Sequence, residues 1–381
     1  MEQNERAREG RLILVINTGS TSSKLAVFRE REQLVKKTVQ HKKEQLEGLK
    51  VLDQLPFRVE CCYDFIRDAG FKPEDFDCIV CRGGQLGHIS GGIYKVTRYM
   101  MDVLRYGTHS QHASSLSCFI GYEIGQKRGI PVIINDSPMT DELDDVARIL
   151  GLPEIEAIPG SHMLNGRYVA RKVAREKLGR PYEQCRFIIA HLGGGITLGA
   201  HVMGRAVDVI GSDYGPMSPE RAGRLPSRQL IDLCYSGKYT HEEMKKRVMG
   251  KGGIYAYLGT QDMYEVEQRV LAGDEKAKMV CQAMAYGTAK GIGELSTVCF
   301  GKVDRIIITG GLARFNMLVD WIKERVGFIA PIELCPGEFE MEALDDAAVR
   351  FLDGEEAAKE YDHVPYGYES REQFYESISG R

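Results

Sequence analysis

The first unbroken apolar run is Leu12 to Ile16; a polar loop, Asn17 to Lys24, follows, and Leu25 to Phe28 are apolar again. Five consecutive apolar residues bounded by small polar ones predict a short buried strand, and the second run predicts its partner in a hairpin. The plan recurs in FIIAHLGGGITLGAHVMG (187–204), where Gly193, Gly194 and Gly195 occupy the turn. Two such units predict an internal duplication. A third run, 304–326, meets a double glycine at Gly310 and Gly311 and then takes helical spacing. Amphipathic helices are predicted over 60–69, 114–128, 166–177, 227–235 and 266–300, with strands over Cys78–Cys81 and Val132–Asn135. Strands alternating with helices imply an α/β fold.

Length and composition narrow this picture. The 381 residues are 43% hydrophobic and 27% charged, enough for two domains with ample cores. The expected division is 1–160 for the first domain, completed by a helix over 340–360, and 161–339 for the second. Residues 361–381, mixing aromatics and charge, are expected to be a peripheral extension. A net charge of -4 without a long basic run offers no broad footprint for nucleic acid. No stretch is long and apolar enough to span a bilayer, and the polar first nine residues lack a signal-peptide core, so a cytoplasmic location is expected. Cys78 and Cys81 form a CxxC inside a strand, and no second pair stands at zinc-ligand spacing, so they are expected to be core residues.

The loops carry the chemistry. A Walker-type phosphate loop needs GxxxxGK[ST] and a following helix. Asn17 to Lys24 has neither. A hairpin still holds phosphate when backbone N–H groups, the hydroxyls of Ser20 and Ser22 and the Lys24 ammonium converge on one anion, with Gly19 allowing close approach. Two glycine hairpins facing each other would grip a nucleotide's phosphates from both sides, with Gly310 and Gly311 at the nucleoside end.

NTGSTSSK (17–24) resembles the phosphate-loop signature of the acetokinase family, within the actin-like ATPase and sugar-kinase superfamily. The resemblance runs from residue 12 to about 360. CRGGQLGHISGGIY (81–94), HASSL (112–116), GSDYGPMSPERAG (211–223) and PGEFEMEAL (336–344) are similar to the butyrate kinase branch, which acts on short acyl chains. Thr18, where that branch often carries proline, departs from it. The resemblance implies two duplicated actin-like, ribonuclease H-like domains with an interdomain cleft, and phosphoryl transfer between ATP and a carboxylate with Mg²⁺. It also implies a homodimer.

Residue by residue, Arg82 looks like the first substrate-side arginine. Its planar fork suits a carboxylate and a phosphoryl oxygen. Arg221 resembles the second, with Arg224 and Arg228 open as alternatives. His112 and His162 match the family's histidines that donate hydrogen bonds to the migrating phosphoryl group, and His191 lines the phosphate cleft or supports it. Asp136, ending PVIIND, resembles the magnesium aspartate, held through water. Glu342 is preferred over Glu340 as the C-terminal glutamate. Asp208 is expected to face nucleotide or metal. Ser161 stands where acetate kinases carry a phenylalanine that closes the acyl pocket; a smaller residue leaves room for methylenes, each contributing about 0.8 kcal/mol when buried. The competing readings are a sugar kinase of the same superfamily, and an actin-like regulatory or polymerising ATPase with no transfer substrate.

Overall fold

Leu12–Thr18 form β1, with Ile13 to Ile16 fully buried, and the chain reverses through Gly19 into β2 (Ser22–Arg29). Thr18 pairs with Ser23, and Gly19 N–H closes the turn on Ser22 O at 2.8 Å. The loop is therefore a hairpin followed by a strand. The computed structural model describes residues 10–107 and 112–379; the polar first nine residues lie outside them. The chain divides into two compact units, Met1–Asp141 with Phe339–Arg381, and Glu142–Glu338.

The first unit is built on a six-stranded sheet in the order β3-β2-β1-β4-β6-β5, where β3 is Glu32–Gln40, β4 Cys78–Cys81, β5 Ile93–Lys95 and β6 Val132–Asn135. β1, β2 and β3 are antiparallel, and β4 and β6 continue parallel to β1. Leu14, Ile16, Ile79, Cys81 and Ile134 share a core with Cys118 and Ile120 of the helix Leu116–Gln126. Alternation along a strand turns Ile13, Val15, Cys78 and Val80 to the opposite face. The helix Glu340–Leu352 also packs on β1, β4 and β6. Cys78 and Cys81 are free thiols with no exposure, and burial pushes both up.

The second unit has five strands in the order β11-β10-β7-β8-β9: β7 Arg186–Leu192, β8 Ile196–Val202, β9 Arg205–Ile210, β10 Arg305–Gly310 and β11 Ile332–Pro336. Three antiparallel strands again lead into parallel ones. The two sheets thus repeat one topology, the duplicated α/β fold expected from the two hairpins.

Several expected elements differ in detail. The run 266–300 is two helices, Met263–Leu271 and Glu275–Val298. Gly273 takes φ +87° and Asp274 accepts the Ala277 N–H at 2.9 Å, so a glycine stop and an aspartate start separate them. Gly310 and Gly311 lead into a single 3₁₀ turn, 311–314, before the helix Asn316–Val326. The unit boundary falls after Asp141, earlier than the expected 160. Asp144 N–H bonds Val207 O at 2.9 Å and Glu142 pairs with Arg167, which ties the intervening chain to the second unit. The tail is not peripheral to its unit: Tyr361 and Phe374, 2% and 0% exposed, pack around Tyr99 in the first core.

Candidate active site

The β1–β2 hairpin, the end of β4 and the start of the helix Glu340–Leu352 converge on one cavity. It measures about 420 Å³ and is lined by residues 17–22, Lys24, Arg82, His112, Ser114, Pro138 and Glu340. Asn17, Gly19, Ser20, Ser22, Lys24, Arg82 and His112 therefore come together as expected. Among the described residues Lys24 has no ion-pair partner, and it brings an uncommitted cation to the loop.

Arg82 leaves β4 with its backbone N–H bonded to Ile16 O at 3.0 Å, so sheet pairing carries it to the hairpin. Its Nη1 donates to Asp136 O at 3.3 Å and its Nε lies 3.6 Å from Glu340. Asn17 Nδ2 donates to Glu340 Oε2 at 2.8 Å. Glu340, not Glu342, thus occupies the cavity. Two helical positions differ by about 200°, so only one of the pair faces the site; Glu342 turns a buried, unpartnered Oε2 into the protein.

His112 stands at the entrance to a 3₁₀ turn, 113–115. Its Nδ1 accepts the Ser114 N–H at 3.2 Å, which leaves Nε2 to carry the ring proton. Desolvation, and then the Arg82 charge, hold its pKa below the ordinary value. Thr18, the departure from the branch's usual proline, donates to Ala113 O at 2.6 Å and ties this turn to the phosphate hairpin.

Asp136 ends β6 in the left-handed region, φ +42°, and is 1% exposed. Its Oδ1 accepts the Gly92 N–H at 2.9 Å and its Oδ2 the Asn135 amide at 3.1 Å. The expected metal aspartate thus has both carboxylate oxygens bonded by the protein, and its backbone O accepts from Arg82. Among the lining residues Glu340 brings the one carboxylate, beside the Asn17 amide and the hydroxyls of Thr18, Ser20, Thr21, Ser22 and Ser114. Among the described residues no three His, Cys, Asp or Glu side chains gather as a metal cage. One carboxylate and one amide oxygen beside a phosphate loop fit Mg²⁺, which takes few protein ligands and completes its shell with water and phosphate.

In the second unit the glycine hairpin joins β7 to β8, with Gly193 N–H bonded to Gly195 O at 3.1 Å. Ser218 Oγ donates to Gly194 O at 2.6 Å, and a Cβ on Gly195 would lie 3.2 Å from Arg221 Nε. Arg221 is thereby placed at the hairpin, its Nη1 donating to Ser212 Oγ at 2.6 Å. Arg224 instead pairs with Glu294. Ser218 was not legible in sequence, since a serine in a loop carries no distinguishing signal. Gly310 has a strict reason to be glycine: φ is +90°, and a Cβ would meet Leu192 O at 2.3 Å. Gly311 has open space around it and lies one residue on. Asp208 stays apart. It pairs with Ala200, five residues past Gly195, about 16 Å along the strand; desolvation raises its pKa.

His162 and His191 stack with ring centres 3.7 Å apart and planes 6° from parallel. His162 Nδ1 lies 3.0 Å from Thr197 Oγ1. His191 is 4% exposed, and burial, then the neighbouring His162, hold its pKa well below the ordinary value. Asn165, which the sequence did not single out, links the pair to β10. Thr309 Oγ1 donates to Gly337 O at 3.3 Å and accepts Asn165 Nδ2 at 3.1 Å; the same amide nitrogen lies 3.2 Å from His191 Nδ1. A backbone carbonyl accepts only, so the Thr309 hydroxyl donates to it and accepts from Asn165, which fixes the Asn165 nitrogen as the donor to both neighbours. That makes His191 Nδ1 an acceptor and puts the proton on Nε2, the atom that a Cβ on Gly193 would approach to 3.5 Å.

The sites carry anion donors in both units, and relatives agree with that chemistry. Residues 159–323 match the family model for the acetokinase family. A probable butyrate kinase 2 of Caldanaerobacter subterraneus subsp. tengcongensis is 45% identical over 92% of this chain and 99% of its own. Butyrate kinase 2 of Clostridium acetobutylicum is 42% identical over the same shares. The crystal structure of Porphyromonas gingivalis acetate kinase shares the fold at a TM-score of 0.72 and 18% identity, over 89% of this chain and 99% of that one. A propionate kinase from Francisella tularensis does so at 0.67 and 18%, over 88% and 98%. The chain belongs to the acetokinase family, in its butyrate kinase branch, and is a short-chain carboxylate kinase.

Proposed function

We propose that the chain phosphorylates a four-carbon or branched short-chain acid with ATP, giving the acyl phosphate and ADP by direct in-line transfer. A carboxylate oxygen forms the new bond to the γ-phosphorus as the bond to the ADP oxygen breaks, and the reaction is reversible. The observation that carries this reading is the single cavity on which the hairpin 17–24, Arg82 and His112 converge.

Both reactants are anions, so the protein's task is to align them and to neutralise charge. Lys24 and the hairpin hold phosphate. Arg82, already flanked by Glu340, orients the acid and the transferred group by its fork. His112 and His191 each present Nε2–H as a neutral donor. Arg221 adds charge at the second hairpin. Glu340 and the Asn17 amide oxygen would hold Mg²⁺, which supplies charge neutralisation on the phosphates.

Hydroxylamine trapping across C2 to C5 acids tests the reading. Hydroxamate should form with the highest kcat/KM for butyrate or isobutyrate. A clear preference for acetate overturns the acyl selectivity; ATP hydrolysis with no hydroxamate from any acid overturns transfer and favours a regulatory ATPase.

A further inference from the structure

Directly beneath the phosphate hairpin lies a cation that the reaction as described does not use. Arg58, on the helix Leu55–Asp68, is 1% exposed. All five of its N–H groups are committed. Nε and Nη2 donate to Gln54 Oε1 at 3.2 and 2.8 Å. Nη1 donates to Ser22 O and Ser23 Oγ, both at 3.1 Å, and Nη2 to Ser20 O at 3.1 Å. Every acceptor is neutral: an amide, a hydroxyl and two loop carbonyls. Among the described residues no carboxylate pairs with it.

A buried guanidinium without a counter-ion is costly, and hydrogen bonds to dipoles recover only part of its lost hydration. Desolvation accordingly pulls its pKa down. The arrangement also orients the loop. In a trans peptide the N–H points opposite to the C=O, and no peptide among the described residues is cis. Drawing Ser20 C=O toward Arg58 therefore turns the Thr21 N–H the other way, and Thr21 lines the cavity.

We infer that Arg58 is the buried charge of the phosphate hairpin, a positioning residue that draws the loop carbonyls inward and takes its counter-ion from the phosphate bound above. This rests on the reading of 17–24 as a phosphate loop. Charge and scaffolding separate in one substitution. Gln54→Glu keeps the Arg58 contacts and places a carboxylate against Nε and Nη2, neutralising the guanidinium where it stands.

Gln54→Glu should raise the ligand-free melting temperature and raise the KM for MgATP at least about tenfold, with the KM for butyrate changed less than about twofold. Arg58→Gln should raise the nucleotide KM similarly while lowering the melting temperature, and Arg58→Lys should recover part of the affinity. The thermal shift induced by MgADP should shrink in Gln54→Glu even if Arg58→Gln fails to fold. An unchanged nucleotide KM and thermal shift in Gln54→Glu overturn the inference. Lys24→Ala distinguishes the two failures: if it too leaves the nucleotide KM unchanged, the phosphate-loop reading itself falls.

Discussion

Asn165 shows how a residue outside the glycine hairpin decides which ring nitrogen of His191 carries the proton. Its amide holds His191 in the Nε2–H form through a chain anchored on Gly337 O. Asn165→Leu should lower kcat roughly a hundredfold, the scale of losing one preorganised donor, with the KM for the acid little changed; steady-state kinetics reads the split. His191 also links stability to pH. Its folded pKa lies below the ordinary 6.5, so under that pH the unfolded chain binds a proton that the native one refuses. Stability falls as pH drops below 6.5, by up to about 1.4 kcal/mol per pH unit for this group. Chemical denaturation of His191→Asn between pH 7 and 5 should show a shallower fall than that of the parent. Ser161 belongs to the same scale: Ser161→Phe should move kcat/KM from butyrate toward acetate.

Among the elements, the helix Glu340–Leu352 does two jobs under opposing demands. Its first turn delivers Glu340 to the cavity, and its middle packs on β1, β4 and β6. The packing buries Asp345, 1% exposed, with Oδ1 unpartnered. Burial, then Asp346, push its pKa from 3.8 up to about 7. The sign is opposite to that of His191. A carboxyl whose folded pKa is raised favours the native state below about pH 4, and that advantage is lost as pH rises to 7. Asp345→Asn should therefore melt higher than the parent at pH 8, and the difference should shrink toward pH 4; scanning calorimetry at both values checks it. The element was legible in sequence but not its rotation, which is why Glu342 stood in for Glu340. Arg58 was missed because the expected helix began at residue 60, past it, whereas the helix runs Leu55–Asp68, and an arginine outside a predicted face reads as solvated.

At the scale of the molecule, each unit closes its own core, and the first does so with segments far apart in the chain, β1 and the residues around Tyr361 and Phe374. Lys359 pairs with the β5 edge, Tyr361 donates to Leu86 O at 2.8 Å, and Phe374 is wholly buried beside Tyr99. Phe374→Ala should cost about 3–5 kcal/mol, the range for emptying a buried aromatic site, and should lower the melting temperature without altering acyl preference. An intact preference beside a lowered melting point would mark the tail as structural. The hairpin duplication was readable because strands that pack on both faces need apolar runs, and a turn between them needs glycine. The tail was not, because its aromatics are spaced too widely to declare a buried face.

Local chemistry determined much of this protein from the chain alone. Apolar runs set β1, β4, β6 and β7, the glycine turns set both hairpins, and the residues of NTGSTSSK pointed to phosphate, the carboxylate following from the family resemblance. Tertiary structure decided whatever depends on direction in space. It chose Glu340 over Glu342 for the cavity, set Arg221 against Gly195, bonded the Asp136 carboxyl to the Gly92 N–H and the Asn135 amide, and slid Arg58 beneath the loop. Sequence periodicity carries which residues share a face, whereas the partner of a buried charge is fixed only when distant segments meet.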